Sequence, residues 1–77
     1  MVHHPHVEID ETGTPVIQGT KIRVVRLYMW WERRGLSVDG LISRYPMLKK
    51  AQILSALAFA FDNFDLMKSE IAKEAMR

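Results

Sequence analysis

The stretch GTPVIQGTKIRV, residues 13–24, places two Gly-Thr pairs around β-branched residues. Val7 to Asp10 alternates apolar and acidic residues, and the turn-forming ETGT follows, which predicts a hairpin returning through residues 15–17. A second tight reversal is predicted at residues 18–20, where Gly19 takes a positive φ. This gives two turns and up to three short strands. Because a two-stranded ribbon is marginal in water, it must pack on helices or on a second copy of itself.

The length of the chain allows a single domain with one small core. A chain of 77 residues is shorter than a typical domain, and it buries only a little over roughly 60% of the surface that it exposes when unfolded. The sequence contains no cysteine, so a disulfide, a thiolate metal site and a cysteine nucleophile are all excluded. We therefore expect a homodimer to supply part of the stability that the small core lacks.

The composition indicates a folded protein without a membrane segment. The sequence is 48% hydrophobic and 26% charged, as in globular domains. It has no apolar run of the roughly 18 residues that cross a bilayer, and its N-terminus lacks the apolar stretch of a secretion signal. We expect a soluble, cytoplasmic protein with no membrane partner. The net charge of +2 is too small to indicate nucleic acid by itself.

The first predicted helix runs from Val24 to Arg34 and ends at Gly35. Its apolar stripe, predicted to face the core, consists of Val24, Leu27, Tyr28 and Trp31. Within an arc of about 100° on the other side, at 100° per residue, lie Arg23, Arg26, Trp30, Arg33 and Arg34.

Two further helices follow the first. Ser37 is the expected N-cap of the second helix, and Tyr45-Pro46 ends that helix. The longest helix is predicted from about Lys50 to at least Phe61. Its core positions are predicted to be Ile53, Leu57, Phe61 and Phe64.

The predicted fold is α+β and mainly α. Residues 1–6 are a flexible N-terminus, residues 7–24 form the hairpin region, and residues 24–61 form three helices in a helix-turn-helix arrangement of the winged-helix or homeodomain-like kind. Residues 62–77 form an amphipathic C-terminal helix or tail.

The turn YPMLK between the second and third helices has the size found in DNA-binding helix-turn-helix pairs. The candidate DNA-binding residues are Arg44, Lys49, Lys50, Gln52 and Ser55. The same face also carries Phe59 and Asp62, so this set offers few polar side chains for direct contact with base edges. The spacing is also generic, since any compact three-helix domain contains such a pair.

The arginine face of the first helix is the stronger electrostatic signal. Arginine contacts phosphate or carboxylate through two hydrogen bonds, and a tryptophan beside it is typical of a protein–protein hot spot. An acidic protein fits these residues at least as well as a nucleic acid. The candidate partner-binding residues are Arg23, Arg26, Trp30 and Arg33, together with Phe64, Leu66, Met67 and Ile71 of the amphipathic C-terminal segment.

Enzymatic and metal-binding functions have little support in the sequence. The serines lack a glycine-framed nucleophile elbow, and the glycines lack the Lys-Ser or Lys-Thr pair of a phosphate loop. His3, His4 and His6 lie at a terminus beside Pro5, without further ligands on a rigid frame. We expect no catalytic residue, no metal and no cofactor.

The motifs together resemble one family of small bacterial proteins. GTPVIQGTKIRV, a helix ending in RRGLSVDGLISRYPML, and ILSALAFAFD are similar to the domain of unknown function 433 family, from Gly13 to about Asp62. The chain departs from the family pattern at Lys21, Arg23, Gly40 and Lys49. Lys49 replaces a Thr or Ser that would cap the last helix, which costs about 1 kcal/mol of helix stability.

The resemblance implies a helix-turn-helix-like domain and a role as an antitoxin. The expected partners are a toxin of the PIN-like ribonuclease class, operator DNA and a second copy of the chain. The alternative is a dimeric protein-interaction module without DNA binding.

Overall fold

The computed structural model describes all residues from Met1 to Arg77 and contains two strands followed by four helices. The strands are β1 (Val7–Ile9) and β2 (Pro15–Ile17), and the helices are α1 (Val24–Arg34), α2 (Val38–Arg44), α3 (Lys50–Asp62) and α4 (Phe64–Ala75). The predicted α+β class with a mainly helical body is confirmed. The C-terminal segment, predicted as helix or tail, forms the fourth helix.

One aspartate organises the turn of the hairpin. β1 and β2 pair antiparallel, with Val7 opposite Ile17. The Asp10 carboxylate accepts hydrogen bonds from the Thr12 hydroxyl at 2.6 Å and from the backbone N–H groups of Thr12 at 2.8 Å and Thr14 at 3.0 Å. These hydrogen bonds, that of the Thr12 hydroxyl foremost, favour the charged carboxylate and hold the pKa of Asp10 below its ordinary value.

The second reversal leads from β2 into α1. Gly19 has φ = 78°, as predicted. The Thr20 hydroxyl donates to the last carbonyl of β2 at 2.8 Å and accepts a hydrogen bond from the Ile22 N–H at 3.0 Å. The third strand is reduced to one isolated bridge between Val16 and Arg23. Two of the three strands allowed by the sequence are therefore present.

The ends of α1 and α2 follow the sequence signals. Gly35 ends α1 with φ = 65°, and its N–H donates to the carbonyl of Trp30. The Ser37 hydroxyl caps α2 by accepting a hydrogen bond from the Gly40 N–H at 3.1 Å. Both helix ends are determined by hydrogen bonds between residues close in the sequence, which explains why the sequence alone could predict them.

Helix α3 lies at the centre of the fold, where it contacts β1 and the other three helices. Its buried residues are Ile53, Ala56, Leu57, Phe59 and Ala60. The prediction that Phe61 and Phe64 face the core is wrong, because their exposed fractions are 53% and 48%. Each four-residue step overshoots a helical turn by about 40°, so Phe61 lies well to one side of Ile53. Phe64 belongs to the next helix.

Asn63 joins α3 to α4 and also holds the N-terminus. Its side chain donates to the carbonyls of Val2 at 2.8 Å and Phe59 at 2.9 Å, and its Oδ1 accepts from the Val2 N–H at 2.8 Å. His4 Nε2 lies 2.7 Å from Asp62 Oδ2. Residues 1–6, predicted to be flexible, are thus attached to the α3–α4 junction through long-range contacts.

Candidate binding surface

Helix α4 divides the predicted arginine face of α1 into two parts. Glu74 Oε1 lies 3.2 Å from Arg23 Nη2 and 3.7 Å from Arg26 Nη1, and Arg77 also pairs with Glu74. The Glu74 side chain is only 6% exposed. Arg23 and Arg26 were predicted to bind a partner, but both already pair with Glu74, whose single carboxylate offsets part of their positive charge. Their observed contacts hold α4 against the start of α1.

The other part of the face is built around Trp30. The guanidinium carbon of Arg44, at the end of α2, lies 3.8 Å from the centre of the Trp30 ring, and that of Arg34 lies at 5.8 Å. Both distances allow cation–π attraction. We call the set Trp30, Arg33, Arg34 and Arg44 the arginine–tryptophan surface. It combines the C-terminal ends of α1 and α2.

The arginine–tryptophan surface carries concentrated, uncompensated positive charge. Three of its four residues are arginines, although the whole chain has a net charge of only +2. Arg33, Arg34 and Arg44 take part in none of the ion pairs of the structure. A cleft of about 240 Å³ opens here, lined by Arg26, Met29, Trp30, Arg33 and Arg34. Three guanidinium groups are therefore available to an acidic ligand.

Trp30 forms the base of this surface and does not project from it. Its side chain is partly buried and packs against the hydrophobic core, although the helical period placed it opposite the core-facing stripe. Stacking on the indole ring restricts the Arg44 side chain, so less conformational entropy is lost when the guanidinium binds a carboxylate or phosphate. The arrangement can hold an acidic group, but it places no nucleophile or acid–base pair in the cleft.

The predicted DNA-binding residues of α3 are only partly available. Lys49 and Lys50 are exposed and form no ion pair. The Gln52 side-chain oxygen accepts a hydrogen bond from the Lys49 backbone N–H at 2.6 Å, and Ser55 is half-buried. Gln52 thereby supplies one half of a capping box, and the other half, a hydroxyl at position 49 that would accept from the Gln52 N–H, is missing. Among the predicted DNA-binding residues at the start of α3, only the two lysines have side chains that are exposed and unpaired.

The hydrophobic residues predicted to bind a partner through the C-terminal segment do not form one exposed face. Phe64 is exposed, with the Lys68 ammonium 5.0 Å from its ring centre, while Leu66 and Ile71 are half-buried against the core. Met67, also predicted to bind a partner, is 0% exposed, so its side chain is not available at the surface of this fold. The apolar stripe of α4 covers the core of its own chain and is mostly unavailable to a partner.

The contact of Arg44 with Trp30 and the roles of two glutamates could not be predicted from the sequence. The contact of Arg44 with Trp30 joins residues 14 apart on different helices, and no local periodicity reports it. Glu74 pairs with two arginines, one at the N-cap of α1 and one within α1. Glu70 is 0% exposed, and neither of its oxygens accepts a well-oriented hydrogen bond, although Lys73 Nζ lies 2.9 Å from Oε2. Mixed charge along α4 was the only sequence signal for these pairs.

The N-terminal histidines are not gathered into a ligand cluster. His4 faces Asp62 and also meets the Phe59 ring edge-on at 6.3 Å between ring centres. No group of three or more His, Asp or Glu side chains is arranged to hold a metal ion. The observed contacts of His4 fasten the N-terminus to α3.

None of the helices is long and apolar enough to cross a membrane. Comparison with curated proteins and with solved structures gives no significant match. The sequence profile of a family described as protein of unknown function, DUF433, matches residues 11–60. This range contains β2, α1, α2 and most of α3, including all four residues of the arginine–tryptophan surface. The chain therefore belongs to the DUF433 family.

Proposed function

We propose that this chain is the antitoxin half of a toxin–antitoxin pair, a non-enzymatic cytoplasmic protein that binds and neutralises a PIN-like ribonuclease. The observation that carries the proposal is the arginine–tryptophan surface, where Arg44 stacks on Trp30 at 3.8 Å and no carboxylate of the chain neutralises Arg33, Arg34 or Arg44. Such a surface is complementary to an acidic protein surface.

The charge of the surface matches the chemistry of the proposed partner. A magnesium-dependent nuclease binds its metal ions through carboxylates, so the region around its active site is acidic. Arginine forms paired hydrogen bonds with a carboxylate, and an aromatic residue beside it excludes water from the contact. An antitoxin that covers the catalytic carboxylates with these arginines would block both metal and RNA.

The test is binding to the product of the adjacent open reading frame. Purified chain is titrated into that protein by calorimetry, and the ribonuclease activity of the mixture is measured in parallel. Arg33→Gln and Arg44→Gln are each expected to weaken binding at least about tenfold, because a guanidinium–carboxylate contact at an interface is lost. The same variants should restore RNA cleavage at protein concentrations where the wild type inhibits.

Lys68→Gln is the matched control, since it removes one exposed positive charge from α4, outside the arginine–tryptophan surface. It should bind like the wild type. Equal affinities for wild type, Arg33→Gln and Arg44→Gln would contradict the proposed surface. A neighbouring product that is not a nuclease, or that does not bind at all, would contradict the antitoxin function.

Operator DNA is a second candidate ligand, favoured by the unpaired Lys49 and Lys50 at the start of α3 and Arg44 at the end of α2. A gel-shift titration on the protein's own promoter tests it. Specific binding should weaken steeply with added salt, and Lys50→Gln should reduce the slope of log affinity against log salt by about one, since one phosphate contact is lost. Absence of a gel shift at micromolar protein would contradict DNA binding. It would favour the alternative of a dimeric interaction module without DNA binding.

A further inference from the structure

Helix α3 carries an exposed apolar stripe on the side that faces away from the core. Its members are Ala51, Leu54, Ala58 and Phe61, spaced by three, four and three residues. Leu54 and Phe61 are 47% and 53% exposed, Ala51 is exposed, and Ala58 is half-buried. This spacing is that of the a and d positions of a helix–helix interface. One edge of the stripe rests on α1, where the Phe61 ring meets Tyr28 edge-on at 5.9 Å.

The stripe does not suit nucleic acid. Reading of base edges requires polar side chains, and the four residues supply only methyl, isobutyl and benzyl groups. Their exposure leaves apolar surface in water on the longest helix of the fold. Apolar residues exposed together on one helix face are a feature of protein-binding surfaces.

The shape of the stripe is self-complementary when two copies of α3 pack antiparallel. In the register centred on residue 56, Ala51 of one helix lies opposite Phe61 of the other, and Leu54 lies opposite Ala58. Every layer then pairs a large side chain with a small one, as interdigitated packing requires. A parallel pair would instead place Phe61 against Phe61 and Ala51 against Ala51, which overfills one layer and underfills another.

The charges at the ends of α3 also favour an antiparallel neighbour. Lys49 and Lys50 lie at the N-terminal end and Asp62 at the C-terminal end, while the first turn has no acidic residue and the last turn no basic one. This placement opposes the dipole of α3 itself. In an antiparallel pair, the lysine end of each helix lies beside the C-terminal end of the other, near Asp62 and Asp65. The unfavourable placement within one chain becomes favourable between two chains.

We propose that the α3 stripe is a homodimer interface in which two copies pack antiparallel through Ala51, Leu54, Ala58 and Phe61. A homodimer is expected from the small size of the core, and this inference, which does not depend on the antitoxin function, assigns its surface. The arginine–tryptophan surface lies on α1 and α2, so variants in the stripe leave its residues unchanged. Loss of dimerisation and loss of partner binding can therefore be measured separately.

The first test is the mass of the full chain in solution, by light scattering and sedimentation equilibrium. Wild-type protein at about 100 μM, a concentration that populates micromolar complexes, should have twice the 8.9 kDa of one chain. Ala51→Glu and Leu54→Glu should raise the dimer dissociation constant at least about tenfold. Ala51→Glu is the more informative variant, because an acidic residue in the first turn of a helix stabilises that helix within one chain. Loss of the dimer in this variant could then not be explained by loss of the fold.

Ala72→Glu is the matched control, since it places the same side chain on an exposed alanine of α4. It should dimerise like the wild type. A wild-type chain that is monomeric at about 100 μM, or stripe variants that dimerise like Ala72→Glu, would overturn the proposal. Circular dichroism of each variant reports whether the helical fold is retained.

The second test fixes the register and uses the absence of cysteine from the chain. Leu54→Cys and Ala58→Cys are prepared separately, mixed, and oxidised. The antiparallel register brings position 54 of one chain opposite position 58 of the other, so the mixture should form disulfide-linked heterodimers much faster than either variant forms homodimers. Homodimers in each variant alone, with no preference for the mixture, would indicate parallel packing and refute the register.

Discussion

Met67 provides a direct test of whether α4 is part of the folded core. The change is Met67→Ala, which removes three heavy atoms from a side chain that is 0% exposed. Replacing a buried Met by Ala typically costs 2–5 kcal/mol of unfolding free energy, because apolar contacts are lost and a cavity remains. We expect about 3 kcal/mol, reduced slightly by the better helix propensity of alanine.

This loss is large for a chain of 77 residues. At about 0.05–0.15 kcal/mol per residue, its total unfolding free energy is roughly 4–12 kcal/mol. A loss of 3 kcal/mol should lower Tm by roughly 12–24 °C, since each kcal/mol shifts Tm by about 4–8 °C in domains of this size. Urea unfolding followed by circular dichroism at one fixed protein concentration gives the free energy directly.

Met76→Ala is the matched control, because the same atoms are removed from a side chain that is 88% exposed. It should change the unfolding free energy by less than about 0.5 kcal/mol. If the two variants unfold alike, α4 is not docked and Met67 is free to contact a partner, as the sequence first indicated. The packing of α4, including the ion pairs of Glu74 with α1, would then be refuted.

Three further predictions concern the hairpin and the buried charge. The pKa of Asp10 is lower in the folded chain than in the unfolded chain, so its carboxylate contributes stability above about pH 4 that is lost as the pH falls through the folded pKa. Asp10→Asn should therefore flatten the decline of stability in acid, and an unchanged pH profile would contradict the turn geometry. Gly19→Ala should lower the unfolding free energy by about 1 kcal/mol, because φ at this position is 78°. Gly40→Ala is the comparison: it lies in a helix, the atoms nearest to the added Cβ are 3.4 Å away, and the change should leave the unfolding free energy the same or raise it. Thermal unfolding of the two variants measures the difference. Glu70→Met should leave stability unchanged or raise it by about 1 kcal/mol, because a buried carboxylate paired only with Lys73 is replaced by an apolar side chain. A loss of more than about 1 kcal/mol in urea unfolding would show that Glu70 makes a net stabilising contribution.

Much of the backbone path could be predicted because local interactions determine it. A positive φ at Gly19 and Gly35 is available to glycine at little steric cost, and the Ser37 hydroxyl caps the helix that follows it. Pro46 prevents α2 from continuing. These constraints act within a few residues, so they are the same in any tertiary setting.

The candidate site was predicted only in part. The sequence placed Trp30 and Arg33 on one face of α1, since both lie on a single helix. It could not show that Arg44 comes from α2 to stack on Trp30, or that Glu74 comes from α4 to pair with Arg23. Both contacts depend on how separate helices pack, and helix periodicity carries no information about that.

The sequence by itself determined the turns, the helix ends and the mainly helical α+β class. Only the tertiary structure decided which apolar side chains are buried: Met67 and Phe59 fill the core, whereas Phe61 and Leu54 remain exposed on α3. The physical reason is that local backbone preferences act along the chain, whereas burial depends on the complete set of neighbouring helices. The hydrophobic effect lowers the free energy when an apolar side chain leaves water. The arrangement of the helices determines whether the core of the same chain or a second molecule covers that side chain.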